Sequence, residues 1–283
     1  PKFMPNPLKD VIGRGSLSKI PNAAPGERHW EVSLKVPLRG AGAAYSTSVK
    51  PKCGALLRAC GFQETVTTTG GSEKVVYTPR STGFESVSLY YNWDGFLYKL
   101  LGTFGNVNFV MKAGGIAFAE FVLNGLYAAP TDTALVLASG EPTVVHPIFQ
   151  SGAFKVGASD YAAPFVNINL NMNNVLTPSS DPSSATGVSA INLLNRVPSG
   201  SFDPDAVLKA TFDWHAAWEA GTLMAMSFTQ GTAQYNRVKF SCPQVQADDL
   251  KPGNRSDLGM FTIPFSIVSN TSQAEDEISV TFD

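Results

Sequence analysis

The chain has 283 residues, of which 43% are hydrophobic and only 16% are charged, and its formal net charge is −2. This length suits one large β domain or two domains of ordinary size. The charged fraction is below the roughly 25% of typical soluble domains, which indicates either a surface buried against other subunits or a neutral secreted protein. The charge balance argues against tight phosphate binding, and no apolar run approaches the roughly 20 residues of a membrane helix.

The N-terminal region predicts an extended arm. It has no apolar segment of the kind found in signal peptides, and residues 1–26 contain five prolines. Because proline removes a ladder hydrogen bond, this stretch is predicted to stay outside the sheet, either as a solvated tail or lying on a neighbouring subunit. Three irregularly spaced cysteines argue against a disulfide framework and favour synthesis in a reducing cytoplasm.

A strand and a short helix are predicted next. Alternation of Val32, Leu34 and Val36 with polar residues indicates a half-buried strand. A helix of about three turns is predicted between Pro51 and Gly61, since its apolar residues repeat at helical spacing. This helix must pack on a sheet to persist, and the residues that form its apolar face are Cys53, Leu56, Leu57 and Cys60.

Residues 64–79 predict a polar, Thr-rich hairpin that projects from the body and has no obvious core face. Its tip comprises Thr67, Thr68, Thr69, Gly70 and Gly71. Residues 84–129 then predict a meander of four strands without a helix, with tight turns at Asp94-Gly95 and at 113–115. Most of its aromatic residues are core candidates: Phe84, Tyr90, Trp93, Phe96, Tyr98, Phe104, Phe109, Phe118, Phe121 and Tyr127.

After a Pro-containing linker at 128–147, one strand has a regular amide face. Apolar residues at 166, 168, 170 and 172 alternate with four asparagines, which are Asn167, Asn169, Asn171 and Asn173. Asparagine is depleted in strands. The face is therefore either an ordinary solvent face, a ladder of amides paired between subunits, or the lining of a neutral channel.

A second helix of about four turns is predicted from a cap at Asp203 and Pro204 to a stop at Gly221, with Trp214 and Trp218 packing on a sheet. Further strands are predicted at 222–229, 235–242, 260–267 and 278–282. Each half thus holds one helix among strands, and residues 113–125 weakly resemble residues 230–242. We therefore predict an arm (1–26) and two tandem β modules (27–145 and 146–283), with one large β domain as the alternative.

No catalytic motif is recognisable in the sequence. His215 and Glu219 share a helix face but are too few for a metal site. The cluster of Asp248, Asp249, Asn254 and Asp257 lacks the spacing of a calcium loop. Glu85 and Asp94 are a weak glycosidase pair, since the turn explains the aspartate. The prediction is a protein that is not an enzyme, with no cofactor and no metal.

The segments LLRACGF (56–62), AEFVLNGLYAAPTD (119–132), DPDAVLKATFDWHAAWEAGT (203–222) and GTAQYNRVKFSCPQVQ (231–246) resemble the tail tube proteins of long-tailed, non-contractile bacteriophages. The resemblance covers most of residues 50–270. It implies a mainly β protein, a β-sandwich or partly rolled barrel with flanking short helices. It also implies rings whose sheets join into an inner β-barrel, stacked into a virion tail tube through which double-stranded DNA passes during ejection.

Several expectations about assembly follow from the resemblance. The preferred ring contains three two-module chains with pseudo-sixfold symmetry, and six single-domain chains are the alternative. The arm and the 64–79 hairpin are candidate contacts between rings. Expected partners are further copies of the chain and the tape-measure, terminator and tail-tip proteins, with no membrane, after synthesis in the host bacterial cytoplasm. A carbohydrate-binding or adhesin β-sandwich, and less favourably a glycoside hydrolase, remain alternatives.

Overall fold

The computed structural model describes residues 2–9, 23–136, 144–150, 154–157, 159–271 and 275–283. The described chain is mainly antiparallel β, as predicted, with two short helices, α1 (Gly54–Ala59) and α2 (Trp214–Glu219). The strands of the first half are β1 (Lys2–Lys9), β2 (Ala23–Pro37), β3 (Phe62–Thr67), β4 (Lys74–Pro79), β5 (Val87–Trp93), β6 (Phe96–Lys112), β7 (Phe118–Tyr127) and β8 (Thr131–Asp132). Those of the second half are β9 (Phe154–Val156), β10 (Ser159–Asp160), β11 (Phe165–Asn171), β12 (Val175–Ser180), β13 (Val188–Asn195), β14 (Ser199–Pro204), β15 (Met224–Gln230), β16 (Val238–Ala247), β17 (Lys251–Arg255), β18 (Leu258–Val268) and β19 (Ser279–Phe282).

One broad sheet crosses both halves of the chain. Its strands pair in the order β1–β2–β7–β6–β11–β14–β18–β16, and every pairing is antiparallel. The halves meet where β6 pairs with β11, with Ile168 opposite Met111 and Asn171 opposite Asn108. We call this eight-stranded unit the wall sheet.

A second sheet packs against the wall sheet. Its order is β3–β4–β19–β16–β15–β9–β10, so β16 belongs to both sheets and the chain folds into a partly rolled sandwich. The rings of Phe109 in β6 and Phe240 in β16 pack between the sheets with centroids 5.1 Å apart. The hydrophobic core draws residues from both halves, from Leu38 to Phe282. The division into two modules stays a prediction.

Two turns lie where the sequence places them. Asp94 and Gly95 both have positive φ, 43° and 88°, as a two-residue hairpin turn requires. The turn at 113–115 joins β6 to β7, and the strands predicted in the last quarter of the chain correspond to β15, β16, β18 and β19. The 84–129 meander is free of helix, as predicted, but contains three strands instead of four because β6 continues unbroken for 17 residues.

The prediction of the second helix was wrong over most of its length. Asp203 and Pro204 end strand β14, in which Phe202 and Pro204 point into the interior. The helix begins eleven residues later, where Asp213 supplies the N-cap and its carboxylate accepts a hydrogen bond from the amide of Ala216 at 3.0 Å. The first helix is also shorter than predicted, with six residues.

Three expectations about exposure also differ from the structure. The proline-containing start does join the sheet, since β1 pairs with β2, although residues 10–22 of the predicted arm lie outside the described residues. The 64–79 hairpin has a core face, because Val75 and Tyr77 are fully buried between β3 and β19. Of the ten aromatic core candidates in 84–129, only Phe109 and Phe121 are buried. Residues 137–143 of the predicted linker lie outside the described residues.

Candidate functional site

The wall sheet has one face in the core and one polar face. Strand alternation sends Val107, Phe109 and Met111 of β6 inward, and Asn106, Asn108 and Val110 outward. The cross-strand register continues this division over seven strands. One row of paired positions on the polar face contains only polar side chains, namely Lys35, Glu120, Asn108, Asn171, Ser199, Ser266 and Gln246.

The predicted asparagine face lies at the centre of this surface. Asn171 Oδ1 accepts a hydrogen bond from Asn106 Nδ2 of the neighbouring strand at 2.8 Å. Asn167 Nδ2 donates to Asp203 at 2.7 Å. The amides are thus paired between strands within one chain. The sequence prediction did not consider pairing within one chain. Its alternatives were a solvent face, pairing between subunits and a channel lining, and the last two remain proposals.

The other two predicted asparagines differ in their surroundings. Asn169 Oδ1 is buried without a hydrogen-bond partner among the described residues. Asn173 lies beyond the end of β11, with φ of 48°, and its side chain donates to Ser199 Oγ at 2.8 Å and to the carbonyl oxygen of Val197 at 3.0 Å. The amide row therefore turns at Asn173 and ties the end of β11 to the start of β14.

Charges on the polar face are mostly paired. Lys35 Nζ lies 3.0 Å from Glu120, and Asn108 Nδ2 donates to the same carboxylate at 3.4 Å. Asp203 lies beside Arg255 at 3.9 Å. The polar row therefore consists of amides, hydroxyls and paired charges, without the clustered lysine and arginine that bind phosphates. The neighbouring rows of the same face contain the apolar residues Val110, Phe118 and Val122.

Described elements that flank the wall sheet lie on its core side. Cys60, at the end of α1, has its sulfur beside the inward-facing Gly105. The β12–β13 hairpin packs on the same side, with Val188 and Ile191 buried and the amide of Arg28 donating to Thr186 at 3.1 Å. The polar face is left uncovered by the part of the chain that the structure describes.

The wall sheet also has an open edge. β2 pairs with β7 along His29–Pro37, but β1 covers the other side of β2 only from Ala23 to Glu31. In the described chain, the backbone of residues 32–37 therefore has one unpaired side. An unpaired stretch of strand is a template for pairing with another chain.

The predicted hairpin tip, Thr67 to Gly71, is solvent-facing, and a side chain added at Gly70 or Gly71 would meet nothing within 4 Å. At the base of the hairpin, Glu64 accepts hydrogen bonds from Lys50 and, at 2.8 Å, from the Tyr77 hydroxyl. Burial alone would raise the pKa of Glu64, but these hydrogen bonds outweigh it and hold the pKa below its ordinary value. Burial and the neighbouring carboxylate raise the pKa of Tyr77.

The four residues predicted to pack helices on a sheet have different environments. Leu57 is fully buried and Leu56 is partly buried against the same core. Trp214 is 4% exposed and donates through Nε1 to the Tyr161 hydroxyl at 2.9 Å. Trp218 is 42% exposed, and its indole nitrogen donates to the carbonyl oxygen of Asp248 at 3.0 Å.

The structure gives other surroundings to the residues considered for chemistry. Glu85 pairs with Arg58 and Arg80, and Asp248 accepts from the Ser266 hydroxyl. His215 packs edge-on against Phe261. Within the described ranges, no group of three or more His, Cys, Asp or Glu residues is arranged to hold a metal ion. No described helix is long and apolar enough to cross a membrane.

Sequence reasoning missed most of the polar face because its strands are distant in the chain. Asn106 and Asn108 alternate with buried residues in the same way as the predicted asparagines, and this local signal was available. Ser199, Ser266 and Gln246 carry no such signal, because only the pairing of β14, β18 and β16 brings them into the row.

A comparison with protein families matches residues 21–282 to the family described as phage tail tube protein. The chain belongs to the phage tail tube family. A search of curated proteins gives no match. Membership gives the chain a structural role in the virion tail, in agreement with the mainly β fold, and implies self-assembly and contact with other tail proteins.

Proposed function

We propose that this tail tube protein forms rings that stack into the tube of a siphovirus-type, non-contractile tail, and that the polar face of the wall sheet lines the DNA channel. The observation that carries the proposal is the uncovered row of seven polar side chains across seven strands. A conduit needs a wetted surface to which DNA does not adhere. Neutral amides and paired charges meet this need, since phosphate binding requires unpaired lysine and arginine.

The β6–β11 junction supports a ring of three chains. There, two halves of one chain are already joined by antiparallel backbone pairing into one continuous sheet. The same kind of joint between chains would use the open edge at residues 32–37 and would remove an exposed strand edge. Three chains with two such halves give pseudo-sixfold symmetry, and six chains are the competing arrangement.

Within the virion, the end rings of the tube would contact the tape-measure, terminator and tail-tip proteins. Double-stranded DNA would pass through the lumen only transiently, after synthesis of the protein in the bacterial cytoplasm. The Thr67–Gly71 tip and the N-terminal arm remain candidate contacts between rings, and the exposed Gly70 and Gly71 support this role for the tip.

Electron microscopy of the purified protein at rising concentration tests the proposal. We expect hollow rings or tubes, and their rotational symmetry separates three chains from six. Compact monomers that persist at high concentration, even with tail-initiation proteins added, would overturn the proposal in favour of a monomeric binding β-sandwich.

Thiol labelling tests which face lines the channel. In assembled tubes of Ser199→Cys, a small maleimide should react, whereas a large polymer-linked maleimide should be excluded. The control Thr65→Cys lies exposed on the second sheet and should react with both reagents. The native thiols do not interfere, because burial raises the pKa of Cys53 and Cys242 to about 12 and that of Cys60 further.

A further inference from the structure

The two ends of the wall sheet carry different projecting hairpins. Cross-strand pairing puts Met111, Ile168, Phe202 and Ile263 at one level across the sheet. From this level, β6 extends in one direction to Phe96, and β18 extends in the opposite direction to Leu258. At about 3.3 Å per residue, the β5–β6 turn and the β17–β18 turn lie about 60 Å apart along the strands. They project from opposite ends of one sheet.

The first end, which we call the aromatic end, comprises β5 and residues 96–101 of β6. Cross-strand pairs place Trp93 opposite Phe96 on the same face as the buried Leu100. Trp93 is 58% exposed and Phe96 is 45% exposed, and Tyr90 on the other face is 57% exposed. An apolar strip thus runs from the buried Leu100 to the tip of the hairpin, and the described chain leaves its outer residues, Trp93 and Phe96, exposed.

The second end, which we call the hairpin end, comprises β17, residues 258–260 of β18 and the adjoining loop at 206–209. The amide of Ala206 donates to the carbonyl oxygen of Gly259 at 2.9 Å, which holds this loop beside the hairpin. Leu258 is 62% exposed and Leu208 is 79% exposed. This end is therefore a second exposed apolar surface, with a different shape and composition.

Charged side chains lie at both ends. Asp94 forms the tip of the aromatic end, and Asp132 pairs opposite Phe96. At the hairpin end, the side chains of Lys209 and Lys251 are 70% and 64% exposed. The ammonium nitrogen of each lies 3.8 Å from a carboxylate oxygen of an aspartate in the same chain. The charges are mixed, since Lys99 pairs opposite Tyr90 at the aromatic end and Asp257 lies in the turn of the hairpin end. The exposed apolar side chains of the two ends are therefore the basis for a contact between copies.

We propose that the aromatic end of one chain docks on the hairpin end of a second copy in the next ring, an inference that rests on the proposed function. Two different complementary surfaces at opposite ends give a head-to-tail contact, which propagates as an open stack. Large aromatic residues are the side chains that most often anchor interfaces, and exposed apolar clusters on unassembled proteins promote association. Trp93 and Phe96 are the anchors of this contact.

A substitution test separates stacking from ring formation. Trp93→Ser with Phe96→Ser should leave the far-UV circular dichroism and the rings unchanged, but should raise the protein concentration needed for tubes at least about tenfold, as expected for loss of anchor residues. The matched control is Leu194→Ser, which should form tubes like the wild type. Leu194 lies at neither end and is 63% exposed, similar to Trp93 at 58%. Tubes of normal length from the double variant would overturn the inference while leaving the conduit proposal intact.

A crosslinking test identifies the partner surface directly. Asp94→Cys and Ser256→Cys, combined in one chain, cannot be bridged within that chain, because the two turns lie about 60 Å apart. A disulfide needs Cα atoms within about 7 Å, and a short bis-maleimide does not span this separation either. A short bis-maleimide should therefore link assembled copies into a ladder of trimers and longer chains, whereas each single variant should not. Dimers from Asp94→Cys alone would show tip-to-tip contact, and tubes without a ladder would show other contacts; either result overturns the inference. Monomers at all concentrations would overturn it together with the proposed function.

Discussion

The ion pair between Arg196 and Glu277 fastens the base of the β12–β13 hairpin to two distant loops. Nε and Nη2 of Arg196 donate to Oε1 of Glu277 at 3.1 and 2.9 Å, and Nη1 donates to the carbonyl oxygen of Arg80 at 2.7 Å. The two side chains are only 13% and 10% exposed. We predict that Glu277→Ala lowers the stability strongly, because it leaves a guanidinium group out of water without its counter-charge.

The structure sets the expected magnitude. Removing one partner of a buried ion pair costs about 3–5 kcal/mol, and the residual exposure of this pair and the remaining carbonyl acceptor favour the lower value. Since about 1 kcal/mol corresponds to about 2–4 °C in Tm for a protein of roughly this size, Glu277→Ala should melt about 6–12 °C below the wild type. Oε2 of Glu277 has no hydrogen-bond partner among the described residues. Replacing both residues, Arg196→Met with Glu277→Leu, should therefore change the stability by only about 1 kcal/mol.

The assay is urea unfolding of dilute protein, followed by the fluorescence of its four tryptophans. The control is Asp160→Ala, which removes the 3.7 Å pair with Lys155 between side chains that are 79% and 49% exposed. Exposed pairs contribute about 0–1 kcal/mol, so this variant should unfold like the wild type. Two results would refute the reasoning: a loss below about 1 kcal/mol for Glu277→Ala, or a double variant as unstable as the single one.

Three further predictions concern packing, pH and thiols. Gly200→Ala should lower the free energy of unfolding by about 1–3 kcal/mol, because the new Cβ would lie 2.5 Å from the backbone oxygen of Asn169 in β11. The control Gly70→Ala adds a Cβ with nothing within 4 Å and should leave the Tm unchanged. Glu64→Gln should be less stable than the wild type at neutral pH, and the difference measured by urea unfolding should shrink below about pH 4.3, because a lowered carboxyl pKa contributes stability that is lost on protonation; a pH-independent difference would contradict this. The three cysteines should not react with a disulfide reagent at pH 8 until the protein unfolds, because burial raises the pKa of each thiol.

Local signals predicted those parts of the fold that local chemistry decides. Asp94-Gly95 marks a two-residue turn because both positions need positive φ. Alternation predicted the apolar side of β11, where Ile168 and Leu170 are buried. Gly221 marks the end of α2, with φ of 60°.

The helix predicted at 203–221 shows where local signals are ambiguous. An Asp-Pro pair suits both a helix start and the end of a strand, and here Phe202 of β14 is buried and pairs with Ile263 of β18. Tertiary pairing therefore overrides the capping signal. Asp213, ten residues later, directly precedes Trp214, and it is the residue that caps the helix.

The exposed aromatic residues were mispredicted for a physical reason. Aromatic residues are usually counted as core, and the sequence of β5 and β6 does not distinguish a strand inside the sandwich from one that extends beyond it. Only the pairing shows that β7 ends near Leu100 while β5 and β6 continue to Trp93 and Phe96. The same limit hid the polar row, because its members come from strands distant in sequence.

The length of β6 links the two proposals. Residues 104–112 of this strand lie between β7 and β11 in the centre of the wall sheet, whereas residues 96–101 pair with β5 and leave the sandwich. One continuous strand thus carries both the polar face proposed to line the channel and the aromatic tip proposed to reach the next ring. The register of β6 shifts between Leu101 and Phe104, where Gly102 has a φ of 55°, and an irregularity of this kind bends a strand. The tip and the proposed channel-lining segment are therefore separated by a bend, so Trp93→Ser with Phe96→Ser should impair stacking and leave the register at Asn106 and Asn108 unchanged.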